Sequence, residues 1–206
     1  VEGNKTIGYE LFHQLRGRIP DFIFVPVGAG PMLVGILRGY MDYRKVGLCA
    51  DLPRMVGIQA EGCRPLVEAW EKGEETVREI RSPQTIAGGI CDGLAGYPGD
   101  GTHTLRHIRS SGGFAAEVSD TEILETQKLL ARSEGIFVEP TGAVAAAGFL
   151  RCAREGRIDP GETAVVILSG HGLKDVGMLE GLDAPLVFAD PEEAAAALGV
   201  PTGDKR

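Results

Sequence analysis

The stretch Val25-Pro26-Val27-Gly28-Ala29-Gly30-Pro31-Met32-Leu33-Val34-Gly35 constrains the fold more than any other part of the chain. It passes from an apolar strand, through a glycine turn, into a helix. Phe22 to Val27 are mostly apolar and include aromatic and β-branched residues, the composition of a buried strand. Gly28 and Gly30 carry no Cβ, so the backbone can turn sharply there and approach a ligand. Pro31 suits the first helical position, where its missing N–H would have been an orphan. Two readings fit this pattern. The amides of Gly28, Ala29, Gly30 and Met32 could point at a phosphate favoured by the positive end of the helix dipole. Equally, the glycines could simply close an ordinary βα turn. Two nucleotide motifs are excluded. Leu33 stands where a dinucleotide fingerprint needs its third glycine, and Gly35 is followed by Ile36 and Leu37 rather than Lys-Ser/Thr.

The 206 residues suffice for one large domain or two small ones. A net charge of -8 argues against a nucleic-acid surface, which would need a basic stripe. No run of about 18 apolar residues suggests a membrane span. Cys49, Cys63, Cys91 and Cys152 are far apart and form no Cys-x-x-Cys pair, so reduced structural thiols in the cytoplasm are expected rather than zinc. The opening Val1-Glu2-Gly3-Asn4-Lys5-Thr6 lacks Met and has the look of a fragment boundary.

Strand and helix signals alternate along the chain. Ile7, Leu11 and Leu15 recur on one face of a helix over 6–16, and a second helix follows Pro31 to about Arg44. Met55 to Gln59 read as a strand, Pro65 to Trp70 as a short helix, and 72–81 as polar surface. The run 87–101 is too rich in glycine for a regular element and reads as a loop over a site or at a domain edge. A helix over 102–111 carries His103 and His107 four residues apart, but no third ligand stands nearby, so no metal site is expected. Phe114 to Val118 read as a strand, and Ser119-Asp120-Thr121-Glu122 as a capping box. The helix it opens has Ile123, Leu124, Gln127, Leu130 and Ala131 on its inner face. Gly135 to Glu139 read as a strand, 140–142 as a turn, 143–154 as an Ala-rich helix, and Ala164 to Leu168 as the last buried strand. Beyond it, Pro191 to Leu198 could form a helix capped by Asp190.

This alternation predicts an α/β fold with a mostly parallel, twisted sheet covered by helices on both faces. The boundaries expected are 1–175 for the α/β region and 176–206 for a tail. Ligands in such folds bind at the carboxyl ends of strands, where both Gly28–Gly30 and Ser169–Gly172 fall, so the two are expected to wall one pocket.

Four stretches, in order, make the chain resemble the C-terminal part of the threonine synthase family, within the type II fold of pyridoxal-phosphate (PLP) enzymes. They are Glu2-Gly3-Asn4-Lys5-Thr6, Val25 to Gly35, Glu134 to Ala143, and Leu168-Ser169-Gly170-His171-Gly172-Leu173-Lys174-Asp175. The resemblance spans about Val1 to Asp175. It implies the large-domain fold of these enzymes and PLP as cofactor, with Gly28, Ala29, Gly30 and Met32 at its phosphate, Ser169 at the pyridine nitrogen and Glu139 beside the ring. A hydroxyl at the ring nitrogen accommodates a neutral pyridine, which suits elimination and replacement over transamination. Glu139 also reads as a carboxylate placed favourably at a helix N-terminus. His171 and Lys174 are expected to shape their loop. Pro31 stands where the family has glycine or asparagine and removes one donor.

The family's Schiff-base lysine lies upstream of the Glu-Gly-x-Lys-Thr stretch, as does its loop for the substrate carboxylate, so neither is expected within this chain. The implied parent is a PLP-dependent lyase, a homodimer that converts O-phospho-L-homoserine and water to L-threonine and phosphate. Alone, the chain is expected to be inactive. Other readings are a serine/threonine dehydratase or another β-replacing PLP enzyme, a non-catalytic PLP- or anion-binding remnant, and a sugar-phosphate or nucleotide-binding domain.

Overall fold

The computed structural model describes residues 1–175 and Asp190. Val1–Asp175 form one compact unit. The helix expected over 191–198 lies outside the described residues.

Four strands build one parallel sheet in the order β3-β2-β1-β4: β1 (Phe22–Pro26), β2 (Arg54–Ala60), β3 (Phe114–Val118) and β4 (Ala164–Val166). Side chains on β1 alternate between two cores, as a period of two requires. Ile23, Val25 and Val27 join one core with the helices α1 (Lys5–Gln14), α2 (Pro31–Lys45), α3 (Pro65–Glu71) and α4 (Pro98–Ser110). Phe22 and Phe24 join the other, against α5 (Asp120–Ser133) and α6 (Pro140–Arg154). The sheet is therefore covered on both faces, as its apolar strands demand.

Local devices end and orient these elements. The Ser119 hydroxyl accepts from the Glu122 amide while the Glu122 carboxylate accepts from the Ser119 amide, completing the capping box of α5. Gln59, fully buried on β2, accepts from the amides of Leu66 and Val67 at the start of α3 and donates to the Val27 carbonyl. One side chain thereby satisfies two orphan donors of a helix and holds the end of the β1 segment.

Several expectations need correction. The helix α4 begins at Pro98, not at 102: Pro98 takes the first turn, and Gly101 packs closely against Leu94 and Val77, contacts a larger residue could not make. The segment 135–139 begins with a left-handed Gly135 and pairs through a single bridge from Val138 to His171, so it lies against the 169–172 loop rather than forming a sheet strand. The helix α6 starts at Pro140, with Glu139 at its N-cap, so 140–142 are helix and not turn. On α5, Thr126 joins the buried face, and Ala131, expected there, is exposed. The strand β4 stops at Val166 and is half-buried, because it lies at the end of the strand order.

The seam between β1 and β4 is clamped at its start by Asp21. Its carboxylate accepts from the Thr163 amide at 2.8 Å and the Thr163 hydroxyl at 2.9 Å. These donors, the backbone amide first, hold the Asp21 carboxyl below its ordinary value. A carboxylate with a lowered folded-state pKa stabilises above its ordinary range and loses that contribution as pH falls through it. The stability advantage of the native chain over Asp21→Asn should therefore be full at pH 6 and shrink below about pH 4. Urea unfolding at both pH values measures this, and a pH-independent difference would refute it.

Candidate functional site

The carboxyl end of β1 opens directly into the Gly28–Gly30 loop, and the helix α2 begins one residue later. Gly30 has φ 95° and ψ 18°, a left-handed conformation. A Cβ there would collide with the Thr104 side chain, so glycine is required on both counts. The Thr104 hydroxyl donates to the Ala29 carbonyl at 2.6 Å. Among the described residues, the amides of Gly28, Ala29 and Gly30 donate to no protein acceptor. The Met32 amide, in the first turn of α2, has no acceptor four residues back within the helix.

Across from this loop, β4 leads into Ser169-Gly170-His171-Gly172. The Glu139 amide donates to the Gly170 carbonyl at 3.1 Å. Gly170 has φ 69°, and a Cβ on it would fall inside the Glu139 carboxylate. A Cβ on Gly172 would fall inside the Phe137 ring. The two glycines thus exist to let this loop lie flat on the 137–139 segment. The His171 ring accepts from the Leu173 amide through Nδ1 at 3.1 Å, and the Lys174 ammonium pairs with Glu139 at 3.1 Å. The Glu139 side chain is only 10% exposed and sits at the N-terminus of α6 beside Lys174.

One cavity of about 440 Å³ joins these parts. Gly28, Ala29, Gly30, Met32, Glu139 and Ser169, all six residues singled out from sequence, line it. The 87–101 run contributes too: Gly89, Ile90 and Asp92 form a third wall, so the loop borders a site. Sequence reasoning missed Asp92, Thr141 and Thr104. Thr141 accepts from the Gly89 amide at 2.9 Å, tying that wall to α6. Asp92 accepts from the Leu94 amide at 2.9 Å and from the Tyr97 hydroxyl at 2.7 Å, and that last hydrogen bond holds the Tyr97 phenol above its ordinary value. Lys174, assigned from sequence to loop shaping, also lines the cavity, whereas His171 does not. His103 and His107 stack edge to face at 4.4 Å outside it.

The arrangement brings unpaired loop amides, a carboxylate–ammonium pair and a serine together at the carboxyl ends of parallel strands. Open α/β sheets bind their ligands at this end of the strands. The model of the family described as "Pyridoxal-phosphate dependent enzyme" matches residues 1–170, and the chain belongs to that family. Among curated relatives, the threonine synthase of Methanocaldococcus jannaschii is 45% identical over 175 residues, covering 85% of this chain and 42% of the relative. That of Methanosarcina acetivorans is 43% identical with the same coverage. The chain thus spans less than half the length of these relatives. Among solved structures, maize serine racemase superposes with a TM-score of 0.66 at 22% identity, covering 86% of this chain and 50% of that one. The processed form of threonine deaminase isoform 2 from Solanum lycopersicum gives a TM-score of 0.65 at 23% identity, covering 87% and 49%. These two likenesses establish the type II fold.

The Gly170 contact makes a direct test. Gly170 and Gly135 have nearly equal φ values, 69° and 66°, but a Cβ on Gly135 would meet nothing within 4 Å. Gly135→Ala should cost the backbone strain alone, about 1 kcal/mol. Gly170→Ala should cost at least about 2 kcal/mol more, because it drives Glu139 out of its seat. Equal losses in urea unfolding would refute the packing argument.

Proposed function

We propose that these 206 residues are the cofactor-holding part of a PLP-dependent, threonine synthase-like lyase. The observation that carries this reading is the meeting of Gly28–Gly30, Glu139 and Ser169 around one cavity, although they lie far apart in sequence. The identities to threonine synthases support the substrate class, O-phospho-L-homoserine going to L-threonine and phosphate. For the dehydratase alternative, the structures of threonine deaminases lie below 25% identity and show the fold alone.

The residues present fit PLP. Free amides at Gly28, Ala29 and Gly30, backed by the N-terminus of α2, suit a phosphate dianion. When bound, the cofactor supplies an electron-withdrawing ring that stabilises charge developing on the amino-acid substrate. In this reading, the Ser169 hydroxyl donates to the ring nitrogen, and a hydroxyl leaves that nitrogen unprotonated. Glu139, held by Lys174, lies beside the ring. By family resemblance, the covalent lysine and the substrate-carboxylate loop come from sequence preceding Glu2–Thr6. The 206 residues alone are then inactive, and the full-length parent acts as a cytoplasmic homodimer. The four cysteines are free thiols, in keeping with a reducing compartment.

Absorbance titration of the purified chain with PLP, before and after borohydride, tests the proposal. Expected are reversible binding lost on dialysis, no lysine adduct fixed by reduction, and no phosphate release from O-phospho-L-homoserine. An adduct fixed on Lys5 or Lys174, or turnover by the chain alone, would overturn the division of labour. Absence of PLP binding would overturn the cradle.

A further inference from the structure

Against the Gly28–Gly30 loop sits Thr104 of α4. It is 1% exposed and does not line the main cavity. Instead it borders a separate hollow of about 130 Å³ with Ala29, Pro31, Val34 and His103. Its hydroxyl donates to the Ala29 carbonyl at 2.6 Å, and its side chain fills the space that a Cβ on Gly30 would need.

A trans peptide is planar, with its C=O and N–H pointing in opposite directions. The Ala29 carbonyl and the Gly30 amide belong to one such plane. Fixing the carbonyl onto Thr104, which does not line the main cavity, therefore turns the Gly30 N–H away from Thr104. The same hydrogen bond polarises the peptide and strengthens that N–H as a donor. Gly30 in the left-handed region has a flat choice of peptide orientations, so something must select one. Pro31 offers no N–H of its own, which leaves the loop dependent on the amides it has.

We infer that Thr104 is the positioning residue that aims the Gly30 amide at the bound phosphate. This rests on the cradle reading above and names the side chain that sets it. Thr104 itself touches no ligand. Its removal should cost phosphate recognition specifically, and leave recognition of the rest of the cofactor unchanged.

The test compares affinity for PLP with affinity for pyridoxal, which lacks the phosphate, in the native chain, Thr104→Val and Thr104→Ser. Valine keeps the volume and loses the hydroxyl; serine keeps the hydroxyl. A lost hydrogen bond that supports a charged acceptor corresponds to a weakening of about tenfold or more. Thr104→Val should lose about that factor for PLP with pyridoxal binding unchanged, and Thr104→Ser should retain the native preference. In a nitrogen–proton correlation spectrum, the Gly30 amide should shift on titration with inorganic phosphate in the native chain and Thr104→Ser, and not in Thr104→Val. Should Thr104→Val fail to fold, Thr104→Ala carries the same comparison. A native PLP preference in Thr104→Val, equal losses for PLP and pyridoxal, or a serine variant behaving like valine would each overturn the inference while leaving the cradle intact. A native chain that binds pyridoxal as tightly as PLP would overturn the cradle reading, and this inference with it.

Discussion

The parallel pairing of β1 with β4 is the constraint on which the rest depends. Phe22 stands opposite Ala164 and Phe24 opposite Val166, and the Ile167 amide donates to the Phe24 carbonyl. That register brings two turns, one after Pro26 and one after Leu168, to the same end of the sheet. A slip would carry Gly28 and Ser169 apart and also turn apolar side chains to the wrong face. The Asp21–Thr163 clamp fixes the pairing at its first residue, across 142 positions of sequence. Both cores then follow, because the alternation along β1 is shared between them.

The loops at that end are held by side chains that reach under them. Thr104 lies under Ala29, Thr141 under Gly89, and Glu139 under Gly170. Each comes from a helix or its cap, and each binds or crowds loop backbone that has no strand to pair with. Thr104 and Thr141 give the loop backbone hydrogen-bond partners at Ala29 and Gly89. Here the partners double as the supports of a cavity wall, so packing and site geometry are one problem.

Much of this was legible in sequence. The glycine turn after a buried strand, the capping box at Ser119 and the Ser-Gly-His-Gly turn are local signals, and each fell where the pattern put it. The failures were also physical. Pro98 to Gly101 look too flexible for a helix, yet proline suits a first turn and Gly101 is needed for contact with Leu94. The 135–139 run has strand composition, but its one bridge goes to His171, which no local pattern announces. Thr104 and Asp92 lie in no recognised motif, and Thr141 lies in the Glu134 to Ala143 stretch without being singled out there. They reach the site only because α4, the 88–92 turn and α6 converge on it, and convergence is a property of the fold.

The charges at the site explain why backbone geometry matters so much there. The cavity is lined by two carboxylates, Asp92 and Glu139, and a single cationic side chain, Lys174, already paired with Glu139. Among the described lining residues, no arginine or lysine is left to neutralise an anion. For the phosphate proposed above, the described lining side chains therefore offer no unpaired cation. The available source is the set of oriented amides at the head of α2, whose strength depends on direction and on exclusion of water. Neutral donors attract an anion only when aimed. A cradle of this kind stands or falls with the orientation of a few peptide planes, and the buried hydroxyl that fixes one of them matters as much as the loop itself.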